Sequence, residues 1–256
     1  MLVIMPPLTL KRKQRNESLF EKMYSLNYKV TTSTCDADGR LKLFAALQMM
    51  QDCSEMWIVS EPAVQRYFEE QHRAQLLAAR GVEIVRVPHF KEDLTVTTSV
   101  YEVMPKFGFR NTFIYDAKGH PCYKSWSMGA FIDRETATLK SIDQTIIDSL
   151  TIEPRLEMDY RDRRIILPKD GGTAFEPVRV MRADIDYNRH MNNPNYIRIA
   201  MELLPDGFSI RSLRCEFRIA AKQSDLLTPV MYPAPDGLVV ALLLPQGPSA
   251  IVHFIN

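Results

Sequence analysis

Within the stretch Arg-Ala-Asp-Ile-Asp-Tyr-Asn-Arg-His-Met-Asn-Asn-Pro-Asn-Tyr, residues 182–196, a carboxylate, a carboxamide and an imidazole alternate as Asp186, Asn188 and His190. Asn193 is a favoured N-cap residue and Pro194 suits a first helical position, so a helix is expected over residues 193–204. The three side chains would then lie near free backbone N–H groups and the positive end of the helix dipole. A carbonyl oxygen can gain negative charge there at low cost. A nearby imidazole and carboxylate can activate or orient a water. Such a set suits attack on an activated carbonyl and needs no serine nucleophile, metal or cofactor. The same residue types are also common in turns and caps, so spacing alone leaves a purely structural role open.

The elements that must position this loop come in two similar sets. Residues 28–34 are rich in β-branched side chains and read as a strand. Leu43, Leu47, Met50, Ser54 and Trp57 mark one face of a helix over residues 41–59, with Asp36 and Asp38 placed ahead of it as possible caps. A shorter helical stretch, 63–79, leads to strand-like segments at 82–87, 94–104, 110–116, 122–133 and 138–141. Residues 151–172 are charged, carry Pro154, Pro168 and a Gly171-Gly172 pair, and read as a linker. Beyond it the pattern returns: a strand at 178–183, the echo of Asp36-Ala37-Asp38 by Asp184-Ile185-Asp186 at a shift of 148, a second helix, then strands at 212–218, 226–232, 238–244 and 250–255. Residues 1–22 read as a leader whose charge run, Lys11 to Arg15, is a solvated segment. The expected layout is thus a leader (1–22), a first module (23–150), a linker (151–174) and a second module (175–256).

Bulk composition removes several classes. A formal charge of +1 gives no overall pull toward nucleic acid or an anionic membrane. No apolar run approaches the roughly 20 residues of a membrane span, and no glycine-rich phosphate loop is present. Cys35, Cys53, Cys122 and Cys215 are widely spaced, which fits small core residues in a reducing cytoplasm rather than a zinc site or disulfide framework.

The segment Asp186-x-Asn188-x-His190-x-Asn192-Asn193, followed by Tyr196-Ile197 and Glu202, resembles the motif of the plant and bacterial acyl-acyl-carrier-protein (acyl-ACP) thioesterases. The helix at 41–57, the stretch Arg110 to Asp116 and Ser125-Trp126-Ser127-Met128 resemble that family's first module. The likeness runs from about Tyr28 to about Tyr232. It implies an α+β double hotdog, two tandem modules each with a long central helix wrapped by an antiparallel sheet. It also implies hydrolysis of fatty acyl-ACP, with Asp186, Asn188 and His190 at catalytic positions. The family's later glutamate and the cysteine after it fall here on Ala220 and Ala221. That departure removes one candidate base and any thiol nucleophile at that place; Glu216 is near in sequence but expected to face elsewhere.

By the same resemblance the first module houses the acyl chain, with Met49, Met50, Cys53 and Trp57 as candidate lining and Asn192 and Asn193 completing the substrate-binding set. Plain core packing explains the first four equally well, because a helix wrapped by sheet buries one face in any case. The implied partner, acyl carrier protein, is acidic. Arg155, Arg161, Arg163, Arg164 and Lys169 in the linker, or Arg179, Arg182, Arg189 and Arg198 around the loop, could meet it. No nucleic acid or membrane insertion is expected, and the chain could be monomer or homodimer. Rival readings are an acyl-CoA thioesterase, a hotdog hydratase or dehydratase acting on the β-carbon, and a non-enzymatic acyl-binding protein. Kinetics on both carriers, release of free thiol, and retention without turnover discriminate them in turn.

Overall fold

The computed structural model describes residues 23–256; the leader read at 1–22, with its charge run, lies outside the described residues. Strands β1 (Tyr24–Lys29), β3 (Asp93–Met104), β4 (Phe107–Asp116), β5 (Pro121–Asp133) and β2 (Arg73–Ile84) pair in that order. The sheet continues through β8 (Ser212–Phe217), β11 (Gly247–Ile255), β10 (Gly237–Leu244), β9 (Leu226–Ala234) and β6 (Thr173–Ala174), with β7 (Val178–Arg179) also on β9, for 11 antiparallel strands in all. The join between the two halves is β2 against β8, from Ala79–Glu216 to Glu83–Ser212.

One face of this sheet carries helix α1 (Leu43–Ser60) and helix α4 (Asn193–Met201). Their apolar sides share a single core that includes Leu47, Met50, Cys53, Ile197 and Ala200 from the helices and Leu213, Leu242 and Val252 from the strands. All four cysteines are free and buried. Helix α4 is half the length of α1, nine residues against 18, because it gives way to turns after Met201 rather than running to 204. Helix α2 (Pro62–Glu70) and a short helix α3 (Gln144–Ser149) cover the far end of the first half. No helix among the described residues is long and apolar enough to cross a membrane.

Several expectations are corrected. The segment 73–79 is strand rather than helix, although Arg-Ala-Gln-Leu-Leu-Ala-Ala favours helix locally. Here β2 pairs with β5 along its length and with β8 over its second half, and that pairing overrides a weak local preference. Gly81 in the same strand lies under the Trp126 indole, where a Cβ would stand 2.2 Å from Nε1, so no larger residue fits without displacement. Residues 138–141 contribute only a bridge between Ile132 and Leu139. In the region read as a strand at 178–183, β7 stops at Arg179 and a 3-10 turn, Arg182–Asp184, follows.

The linker is irregular but anchored to the opposite face of the sheet. Ile165 packs on Val239, Ala241 and Ile251, which alternate with the core-facing positions of β10 and β11. Its N–H donates to Glu216 Oε2 at 3.0 Å, and Tyr160 donates to Asn111 Oδ1 at 2.9 Å. Glu216 therefore turns away from the helices, toward the linker.

Candidate active site

The loop between the 3-10 turn and α4 is built on Asp184, which is 8% exposed. Its Oδ2 accepts the Met181 N–H at 2.8 Å, its Oδ1 accepts Arg198 Nη2 at 2.8 Å, and its carbonyl accepts the Asn192 N–H at 2.9 Å. Asn195 adds a second bond to that carbonyl, 3.1 Å from Nδ2. The loop then folds on Asp186. Asp186 Oδ1 accepts the N–H groups of Asn188 at 2.9 Å and His190 at 3.4 Å, and the Asp186 N–H donates to the His190 carbonyl at 2.9 Å. Met191 leaves the loop by donating its N–H to the Ala221 carbonyl at 2.9 Å.

The first half repeats the hydrogen-bonding pattern of this turn. Asp36 Oδ1 accepts the N–H groups of Asp38 at 3.0 Å and Arg40 at 2.8 Å, and Thr34 takes the place of Asp184 by accepting the Thr31 N–H at 2.9 Å. Asp36 therefore matches Asp186, a shift of 150 rather than 148. Asp36 and Asp38 do not cap α1; Asp36 closes its own turn, and the residue before the helix is Lys42. The left-handed position of the turn is Gly39 (φ 74°) in the first copy and Arg189 (φ 64°) in the second, so the second loop holds a side chain in backbone glycine adopts more readily.

Asp186, Asn188 and His190 thus share one turn, His190 and Asp186 half-buried and Asn188 exposed. Among the described residues no hydrogen bond runs from one of these side chains to another; the Asp186 side chain reaches only the backbone of the other two. Asn192 precedes α4 with its side chain making no cap bond, and Asn193 is the first helical residue, one place later in the helix than expected, with Pro194 second. Among the described residues the Asn193 N–H has no hydrogen-bond partner, which leaves a donor at the positive end of α4, beside the loop.

The loop comes near α1 at residues that the sequence reading passed over. Glu55 lies close enough to Asp186 for their charges to repel, and the exposed Tyr187 side chain comes near both Glu55 and Asn188. Gln51 Nε2 donates to Glu55 Oε1 at 2.7 Å. Burial raises the Glu55 carboxyl above its ordinary range, opposed by the Gln51 hydrogen bond and aided by the charges of Asp186 and Asp52. The available sequence signal was slight: Gln51 and Glu55 form an i, i+4 polar pair just beside the apolar stripe of α1. Two arginines stand behind it. Arg80, 2% exposed, and Arg110, 7% exposed, are both lowered to about 10 by burial and so stay charged at neutral pH.

Less than one helical turn beyond Glu55, an apolar cleft opens with about 410 Å³ of empty space, its mouth included. Trp57, Ile58, Phe68, Val103, Phe131 and Leu150 are among its walls. The Arg110 guanidinium stacks on Trp57 at 4.2 Å from the ring centre and donates to the Ser54 carbonyl at 3.0 Å. Of the candidate acyl-lining residues, Trp57 faces this cleft, whereas Met49, Met50 and Cys53 are 5%, 0% and 0% exposed in the shared core.

Comparison with known proteins gives a family. Residues 21–150 match the acyl-ACP thioesterase N-terminal domain and residues 169–218 match the acyl-ACP thioesterase C-terminal domain. By sequence, no curated protein matches. A crystal structure of an acyl-ACP thioesterase from Bacteroides thetaiotaomicron superposes with TM-score 0.79 at 18% identity, over 92% of this chain and 98% of that one. The 12:0-ACP thioesterase from Umbellularia californica superposes with TM-score 0.77 at 15% identity, over 91% and 93%. At such identities these likenesses speak for the fold, which is the α+β double hotdog over the whole length of both relatives. The first domain match alone spans more than half of the sequence, and the chain belongs to the acyl-ACP thioesterase family of thioester hydrolases.

Proposed function

We propose that this chain releases free fatty acid from fatty acyl-ACP, ending chain elongation, and that Asp186, Asn188 and His190 carry the chemistry. The observation behind the reading is that one helix, α1, carries residues near both the loop and the cleft. Asp186 lies within electrostatic reach of Glu55 on α1, the free N–H at the start of α4 follows the same loop, and Trp57 on α1 lines the apolar cleft. The thioester carbonyl docks at the start of α4, polarised by backbone N–H and the Asn188 amide. His190 or Asp186 deprotonates or orients the attacking water. The acyl chain extends into the cleft of the first half, and attack expels the pantetheine thiolate.

Carrier docking falls to the arginines around the loop. In the linker, Arg155 pairs with Glu102 and Arg161 pairs with Asp159 and Asp236, so their charge is spent internally. Arg163, Arg164 and Lys169 are exposed without an ion pair among the described residues but belong to the opposite face of the sheet from the helices. Arg182 and Arg189 are exposed and make no ion pair among the described residues. A thiol-release assay over ACPs charged with different chain lengths, run beside the same acyl groups on coenzyme A, tests the reading. Turnover is expected on acyl-ACP with a preferred length, with Arg182→Glu raising KM for acyl-ACP alone. Faster turnover on acyl-CoA, or no release of thiol, would refute it.

A further inference from the structure

We propose that Glu55, reaching across from α1 of the first half, is the general base that takes the proton of the attacking water. This rests on the thioesterase reading above and adds a residue to it. In the second half, Asp184 is committed to the Met181 N–H and to Arg198 within the loop. Ala221 touches the loop through two backbone contacts, accepting the Met191 N–H at 2.9 Å and donating to the Tyr196 hydroxyl at 2.8 Å, yet neither it nor Ala220 has a titratable side chain. Glu216 is held on the far face by Arg218 at 2.9 Å and by the Ile165 N–H. Asp186 spends one oxygen on two backbone N–H groups, which ties it to the shape of the turn.

Glu55 differs on each count. It is half-buried and is oriented by Gln51, whose own Oε1 is buried without a partner. It feels the charge of Asp186 and the side chain of Tyr187 from the loop, and it lies two residues before Trp57, which lines the apolar cleft. The charged and titratable groups facing it are Asp52 on its own helix, Asp186 and Tyr187 from the loop, and Arg80 from β2. Arg80 is itself buried with its Nε unpartnered. The step balances without a co-reactant. Water forms the new C–O bond while its proton passes to Glu55; the tetrahedral intermediate then collapses, the C–S bond breaks, and the thiolate takes that proton back from Glu55. Asp186, Asn188 and His190 orient water and carbonyl.

The test compares Glu55→Gln, Glu55→Asp and Tyr187→Phe with wild type for kcat, KM and pH dependence on acyl-ACP, with melting temperatures for each. Glu55→Gln is expected to lower kcat by about 10²- to 10⁴-fold with KM little changed, and to abolish the rise of rate with pH. Glu55→Asp, which keeps the charge, should recover about 10-fold or more of that loss even if packing changes. Tyr187→Phe, which removes only the hydroxyl near Glu55 and Asn188, should cost much less than Glu55→Gln. Glu55→Gln turning over near the wild-type rate, or Tyr187→Phe matching its loss, would remove Glu55 as the base while wild-type hydrolysis still upheld the thioesterase reading. A wild-type protein inactive on both carriers would remove the two together.

Discussion

Replacing Asp36 and Asp186 with alanine, one at a time, separates the architecture of the turn from its chemistry. Each carboxylate closes the same turn with two backbone N–H groups, at 3.0 and 2.8 Å for Asp36 and at 2.9 and 3.4 Å for Asp186. A net contribution of about 0.5–1.5 kcal/mol per hydrogen bond, taken at the low end for such exposed loops, gives about 1–2 kcal/mol for either substitution. In a chain of this size that lowers Tm by roughly 2–8 °C. Asp36→Ala should cost at least as much as Asp186→Ala, because one of the Asp186 bonds is long. Turnover should divide the pair sharply, with Asp186→Ala falling by about 10²- to 10⁴-fold and Asp36→Ala staying within about 3-fold of wild type. Asp186→Asn sharpens the comparison by keeping the Oδ1 acceptor, so Tm should hold while turnover still falls. Scanning calorimetry and thiol release on the same preparations give both numbers. An equal loss of turnover in Asp36→Ala and Asp186→Ala would show that the turn matters only as scaffold, and the reasoning would fail.

Other expectations follow from single contacts. Gly81→Ala drives a methyl into the Trp126 ring and should cost about 1–3 kcal/mol by thermal denaturation, a penalty that Trp126→Phe partly relieves; an unchanged Tm would refute the close approach. Val64→Phe and Val103→Phe narrow the cleft and should shift the thiol-release profile toward shorter acyl chains; an unaltered profile would place the chain elsewhere. Burial raises the Glu216 carboxyl, but Arg218 and the Ile165 N–H outweigh it and hold it below the usual range. Its folded pKa lies below its unfolded one, so its stabilisation is full above the unfolded value and is lost as pH falls through the folded one. Glu216→Gln should therefore melt below wild type at neutral pH and converge with it in strongly acidic buffer; a constant gap would contradict this.

Much of the fold is visible in the sequence because the two copies of strand, acidic turn, helix and sheet announce themselves by periodicity and turn residues. The hairpin strands and the Leu43–Ser60 helix fall within a few residues of expectation. Residues 73–79 did not, since their strand state depends on β5 and β8, both far along the chain. The register of the repeat was two residues off because Asp184 and Asp186 are both acidic, and only the hydrogen bonds tell which of them matches Asp36. At the site, Asp186, Asn188 and His190 are local in sequence and could be found by spacing. Glu55 could not, for it lies more than a hundred residues away on a helix whose partner in space is set by the joining of two halves. The apolar face of α1 likewise does not reveal which members face the cleft; Met50 and Cys53 differ from Trp57 only in what packs over them.

A single-turnover measurement of acyl-ACP hydrolysis by His190→Ala, with its melting curve alongside, bears most directly on whether this loop performs the reaction. The chemical step should slow by about 10²- to 10⁴-fold while Tm stays at the wild-type value. Hydrolysis at the wild-type rate by the folded variant would contradict the account.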